Sequence, residues 1–210
     1  MLQADEKEYW QIIWGKFKAG DRRAFEIIYN EFVDALFSYG LRISCHRALV
    51  EDAIQDLFLD VYSYGEHLRK PESLEFYLYK TLKRIIIKKL KEKYRFSHPD
   101  TFTEQFELKF PLEEDSAQTL DAQTRALHEE LKKLDTKKRE LLFLKFNSGL
   151  TYKEIGDLLV CNPDTVKKQV SRVLNLLRKK LGEDFLNLFV VYVRKGERKQ
   201  GMNNFFEKIP

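Results

Sequence analysis

The sequence predicts an all-α protein of two small helical domains joined by a flexible acidic linker, the second domain a helix-turn-helix. Three observations carry this. Charged residues make up 33% of the 210-residue chain while Gly and Pro number only nine and five, which favours helices over turn-rich sheets. Apolar residues recur at helical spacing from about Tyr9 to Tyr94 and again from about Gln123 to Leu181. Between these stretches, residues 97–122 hold Pro99, Pro111, several Ser, Thr and Asp, and the acidic run Glu113-Glu114-Asp115, the composition of a linker. The expected boundaries are therefore 10–96 for the first domain, 97–122 for the linker, 123–182 for the second domain and 183–210 for a tail.

The first domain is punctuated by turn signals near Gly20-Asp21 and Lys70-Pro71. Its helix from Arg47 to Tyr62 has an unusual polarity. Val50, Ile54, Leu57, Phe58 and Val61 form the stripe expected to be buried. Glu51, Asp52, Gln55, Asp56 and Asp60 gather opposite, with no basic residue among them. Acidic pairs at i,i+4 repel, and a merely solvated face usually intersperses Lys to relieve this. The face therefore suits docking on a basic protein surface.

The segment that follows has the opposite charge. Lys80, Lys83, Arg84, Lys88, Lys89, Lys91, Lys93 and Arg95 are opposed by Glu92 alone. Phe76, Tyr77 and Tyr79 lie just before them. Aromatic rings can stack unpaired bases while cations track phosphates, so the segment fits nucleic acid as it opens. Burial of Tyr77 and Leu78 in the core is the competing expectation.

In the second domain, Gly149 to Leu181 carries two helix starts in succession. Thr151 and Glu154 have capping-box spacing, and Leu150 and Ile155 stand where a hydrophobic staple would sit. Gly156 keeps the crossing point small, and a short turn runs through Val160 and Cys161. Asn162 then caps a second helix, with Pro163 at its first position and Asp164 in its positively polarised first turn. Val166, Val170, Val173, Leu174 and Leu177 fall on one face of that helix. Asp164, Lys168, Ser171, Arg172 and Asn175 fall on the other, flanked by Thr165 and Lys167. A helix anchored on one side and lined with short polar and basic groups on the other fits a major groove.

The tail reads DFLNLFVVYV from Asp184 to Val193, followed by Arg194, Lys195, Arg198 and Lys199. Phe185, Leu188, Phe189 and Tyr192 are expected to extend the last helix and pack on the second domain. The alternative is an apolar docking strip for an inhibitor or for the other domain.

Composition narrows the function classes. The net charge of +4 is mild, so its distribution matters more than its total. Cys45 and Cys161 are far apart and the four His are scattered, so neither a zinc site nor any other metal or cofactor is expected. The polar, acidic start MLQADEKEYW is unlike a signal peptide, and no apolar run approaches the roughly 20 residues that span a bilayer. A reduced, cytoplasmic protein without membrane insertion is expected. No nucleophile, base and orienter form a motif and no Gly-rich phosphate loop occurs, so no enzyme activity is expected.

Three stretches, in order, resemble the extracytoplasmic-function group of bacterial sigma-70 family sigma factors, which keep the second and fourth conserved sigma domains. GDRRAFEIIYNEF at Gly20–Phe32 is like the opening helix of the second domain. VEDAIQDLFLDVY at Val50–Tyr62 is similar to the helix that binds the polymerase clamp. LTYKEIGDLL with NPDTVKKQVSRVLNLLRKKL resembles the winged-helix-like helix-turn-helix of the fourth domain. The resemblance covers roughly residues 10–182.

It implies a protein that binds core RNA polymerase and directs promoter-specific initiation, with an anti-sigma factor as a further partner it leaves room for. Glu51, Asp52, Gln55, Asp56 and Asp60 would dock on polymerase. Asp164, Thr165, Lys167, Lys168, Ser171, Arg172 and Asn175 would read the upstream promoter element. Phe76, Tyr77, Tyr79, Lys80, Lys83, Arg84 and Lys88 would hold the downstream element as it opens. The chain departs from the family at Tyr77-Leu78, where Trp-Leu is frequent, at Lys83-Arg84, where an Asn is expected, and at Leu134-Asp135, where Leu-Pro is usual. Two other readings remain at this stage. A two-domain helix-turn-helix regulator would act without polymerase, and a helical adaptor would bind protein only. The first leaves the acidic helix unexplained, the second the capped helix and the lysine run.

Overall fold

The computed structural model describes residues 2–65, 73–95 and 122–182, together with Phe185 and Phe189. Every described element is a helix, and these fall in two compact units.

The first unit holds α1 (Leu2–Lys18), α2 (Arg22–Ile43), α3 (Arg47–Tyr64) and α4 (Leu74–Arg95). α1 starts at Leu2, ahead of the Tyr9 at which the apolar periodicity begins. It stops at Gly20, whose φ of +89° few other residues adopt. Asp21 then caps α2 by accepting the Arg23 N–H at 2.9 Å. A short break at 44–46, left unmarked by any Gly or Pro, separates α2 from α3. The expected turn at Lys70-Pro71 lies outside the described residues, as does the expected linker apart from Ala122, which opens α5.

Trp14, Phe25, Leu36, Leu57, Phe58, Leu82 and Ile86 are among the buried side chains where the four helices meet. Phe25 sits between Phe17, Tyr62 and Phe58, with ring centroids 5.6, 5.1 and 6.2 Å away. Such aromatic pairs contribute about 0.5–1.5 kcal/mol each beyond area burial. At Gly40 the helices approach so closely that a Cβ would meet Val50 Cγ1 of α3 at 2.5 Å and Ile86 Cδ1 of α4 at 3.2 Å. Their orientation is therefore held by packing, which makes α3 and α4 a firm platform for what they expose.

The second unit holds α5 (Ala122–Lys132), α6 (Thr136–Phe146), α7 (Tyr152–Leu159) and α8 (Pro163–Leu181). The helical pattern is interrupted wherever a capping residue stands. Asp135, found where the resembling family has Pro, accepts the Lys138 N–H at 2.8 Å and starts α6. Thr151 and Glu154 form the expected capping box, with bonds of 3.2 Å to the Glu154 N–H and 2.8 Å from the Thr151 N–H. Leu150 and Ile155 are both buried, as the staple requires. Among the described residues there is no strand, so the helix-turn-helix carries no β-wing there.

Glu130 of α5 ties the unit together, with Lys180 of α8 and Lys133 each 2.7 Å from its carboxylate. Hydrogen bonds from these ammonium groups hold its pKa below the usual carboxylate value. A depressed carboxylate stabilises the fold above its unfolded pKa, and that contribution fades as pH falls through the lowered folded value. E130Q should therefore lower the unfolding midpoint at neutral pH. Melting curves across the acid range should show the difference from wild type shrinking toward low pH.

Candidate polymerase and promoter interfaces

The acidic face of α3 is built as the periodicity implies. Val50, Ile54, Leu57, Phe58 and Val61 are fully buried. Asp52, Asp56 and Asp60 are exposed, and Glu51 and Gln55 are half-buried at the margins. The face is less bare of cations than the sequence implies. Arg47 Nε lies 2.7 Å from Glu51, and Lys89 Nζ, reaching across from α4, lies 2.7 Å from Asp56. Asp52 and Asp60 remain open to a partner. Sequence reasoning missed Leu59, which is 41% exposed among these acidic groups, one turn from Gln55 and Asp56. Its place outside the buried stripe was the available signal. If the face docks on a partner, an exposed Leu inside the acidic patch would supply apolar area while the charges supply orientation.

On α4 the charged positions of the expected site are all at the surface. Lys80, Arg84 and Lys88 are exposed and Lys83 is half-buried. The Lys80 ammonium sits 5.2 Å from the centre of the Phe76 ring, so a cation and an aromatic face are presented together. Tyr77 is half-buried with its ring 6.3 Å from Trp14. Burial pushes its hydroxyl pKa up, a hydrogen bond with Thr81 opposes this, and the charges of Asp60 and Arg84 act on it from either sign.

Tyr79 requires correction as a base-stacking residue. It is 1% exposed and packs edge-on against Tyr39 at 5.0 Å. It lies toward the α2 side of α4, so the aromatic group available near the basic face reduces to Phe76 and Tyr77.

The helix-turn-helix of the second unit is compact because Gly156 has no side chain. A Cβ there would stand 2.6 Å from the Cys161 carbonyl oxygen and 3.3 Å from Pro163 N. Val160 makes the turn in the left-handed region, φ 54° and ψ 53°, and is 92% exposed. The Cys161 N–H closes it on the Gly156 carbonyl at 2.8 Å. Asn162 then accepts the Asp164 N–H at 2.8 Å and α8 begins at Pro163.

Val166, Val170, Val173 and Leu177 are buried, while Leu174, expected in the same stripe, is half-buried at its flank. Asp164, Thr165, Lys167, Lys168, Ser171, Arg172 and Asn175 are all exposed. α8 thus presents one continuous polar face beginning at a helix N-terminus, the arrangement a recognition helix uses.

Beyond α8, Phe185 and Phe189 are helical and buried, and Phe189 meets Phe146 of α6 edge-on at 5.3 Å. This agrees with the packing expectation for those two residues. Leu188 and Tyr192 lie outside the described residues.

Two family models match the chain: Sigma-70 region 2 over residues 28–96 and Sigma-70 region 4 over residues 124–177. Among curated proteins, the chain is 29% identical over 136 residues to RNA polymerase sigma factor SigV of Bacillus subtilis, covering 65% of this chain and 78% of that protein. It is 25% identical over 173 residues to the ECF RNA polymerase sigma factor SigW of the same organism, covering 78% and 92%. Solved structures share the fold. The sigma factor RpoE of Bartonella quintana, in complex with the anti-sigma factor NepR, aligns with a TM-score of 0.53 at 21% identity, over 76% of this chain and 98% of that one. CnrH, in complex with the cytosolic domain of CnrY, aligns with a TM-score of 0.51 at 17% identity, over 85% and 97%. The chain belongs to the sigma-70 family of RNA polymerase sigma factors, in its extracytoplasmic-function group. This is not a family of enzymes, and no described helix is long and apolar enough to cross a membrane.

Proposed function

We infer that this chain binds core RNA polymerase, carries it to a defined class of promoters and starts transcription there. The observation that carries the reading is the pairing in one chain of an acidic docking helix, an adjacent aromatic and basic helix, and a capped recognition helix, within the region 2 and region 4 matches. Neither rival accounts for all three. A regulator acting alone has no use for the α3 face, and an adaptor has no use for the polar face of α8.

Asp52, Gln55, Asp56 and Asp60 are assigned to polymerase, with Glu51 at the edge and Leu59 as the apolar anchor. Asp164, Thr165, Lys167, Lys168, Ser171, Arg172 and Asn175 are assigned to duplex DNA upstream. Phe76, Tyr77, Lys80, Lys83, Arg84 and Lys88 are assigned to the downstream element as it unpairs. The chain itself performs no bond chemistry; binding energy is its whole contribution. Its place of work is the cytoplasm, where polymerase and DNA are, and an anti-sigma factor that covers one of these faces would keep it idle.

The test is transcription from a promoter library by core polymerase with and without the purified chain, with core binding measured in parallel. Wild type should select a narrow promoter class. Reversing two of the three exposed carboxylates, D52K with D56K, should weaken core binding by about tenfold or more, since like charge facing a complementary surface costs several kcal/mol at full contact. Its helicity should stay unchanged. A chain that binds operator DNA tightly without polymerase, and does not change polymerase output, would establish the regulator reading instead.

A further inference from the structure

The ion pair between Asp56 and Lys89 joins the two faces that the proposed function separates. Asp56 is central on the acidic face of α3, and Lys89 belongs to the basic helix α4. On α4, Lys80, Arg84 and Lys88 point to solvent, but Lys89 is turned toward α3 and its side chain keeps 29% of its exposure. Its ammonium lies 2.7 Å from Asp56 Oδ2. The Asp56 side chain is still 50% exposed. A carboxylate has two oxygens and room for about four hydrogen bonds, so one donor does not exhaust it. Fixing one oxygen removes the freedom the side chain would otherwise lose on docking.

We propose that Lys89 is a positioning residue for polymerase docking: it holds the Asp56 carboxylate in place through Oδ2 and leaves Oδ1 presented to the partner. The proposal rests on the assignment of Asp56 to the polymerase contact. It also makes the docking face a joint product of α3 and α4, so a change on the DNA-side helix is felt at the polymerase side.

The experiment is a double-mutant cycle on core polymerase binding, using the full-length chain with K89M, D56N and the pair, with K89R as the conservative variant. K89M keeps the aliphatic stem and removes the charge. The expected result is a threefold to fivefold rise in Kd for K89M, about the range of a partly exposed ion pair. K89R should restore binding, and K89M should have no further effect in the D56N background. A merely structural role would lower affinity equally in both backgrounds and lower the melting temperature of the free chain.

Tighter binding by K89M would show that Lys89 masks Asp56 and would overturn the proposal. A normal Kd for K89M beside a weakened D56N would overturn it while leaving the docking assignment standing. A normal Kd for D56N would remove Asp56 from the polymerase contact, and the proposal with it.

Discussion

Replacing Phe189 by Ala should lower the stability of the second unit by about 3–5 kcal/mol, the usual range for deleting a fully buried aromatic ring. Phe189 has no residual exposure and meets Phe146, the last residue of α6. Phe185, one turn earlier, is equally enclosed at 2%. Both lie beyond residue 177, where the region 4 match ends. The fourth domain of this chain therefore includes core that the family pattern does not contain. Truncation after Gly182 removes both rings and should reproduce the loss. Thermal unfolding of the full chain and of the truncated form checks this. If the truncated form melts like wild type, the two rings fill no cavity, and a gain in promoter activity would then mark the tail as a cover over a working surface.

The second large effect is expected on the recognition helix. K168A with R172A should reduce binding to the cognate upstream element by about 1–3 kcal/mol for each side chain that reads a base, and relax preference at that position. Both residues are exposed, one turn apart, on a helix whose other face is sealed by Val166, Val170 and Val173. The substitutions remove no core contact, so melting temperature should hold. Footprinting by the reconstituted holoenzyme is the direct measurement. A uniform loss across all sequences would assign the pair to phosphates, and an unchanged footprint would mean that α8 is not the reading helix.

The sequence was most legible where local chemistry decides local structure. Thr151 with Glu154, and Asn162 with Pro163, announce their helices because caps satisfy backbone groups within a few residues. The polar and apolar faces of α3 and α8 follow from period alone. What could not be read depends on the third dimension. Tyr79 sits in a segment rich in cations, and only the packing of α4 against α2 shows that its ring faces Tyr39. Lys89 reads as one more member of a basic run until α3 is laid beside it. Asp135 stands where the resembling family usually has Pro, and only the cap it makes to the Lys138 N–H shows how it starts α6. The break at Ser44 to His46 has no Gly or Pro to mark it, and the His46 side chain makes no cap.

Val160 has a consequence for how this protein could change over generations. A β-branched side chain in left-handed backbone is held there against a penalty of about 1–2 kcal/mol, and at 92% exposure its methyl groups recover nothing from packing. Heat resistance alone would favour Gly or Asn at this position, and a library grown under thermal selection should drift to them quickly. Gly156 next to it has no such latitude, because the Cys161 carbonyl occupies the space any side chain needs. One helix-turn-helix thus contains both a site open to improvement, in its turn, and a site closed to variation, in α7, and laboratory evolution of altered promoter preference has room to begin at the first.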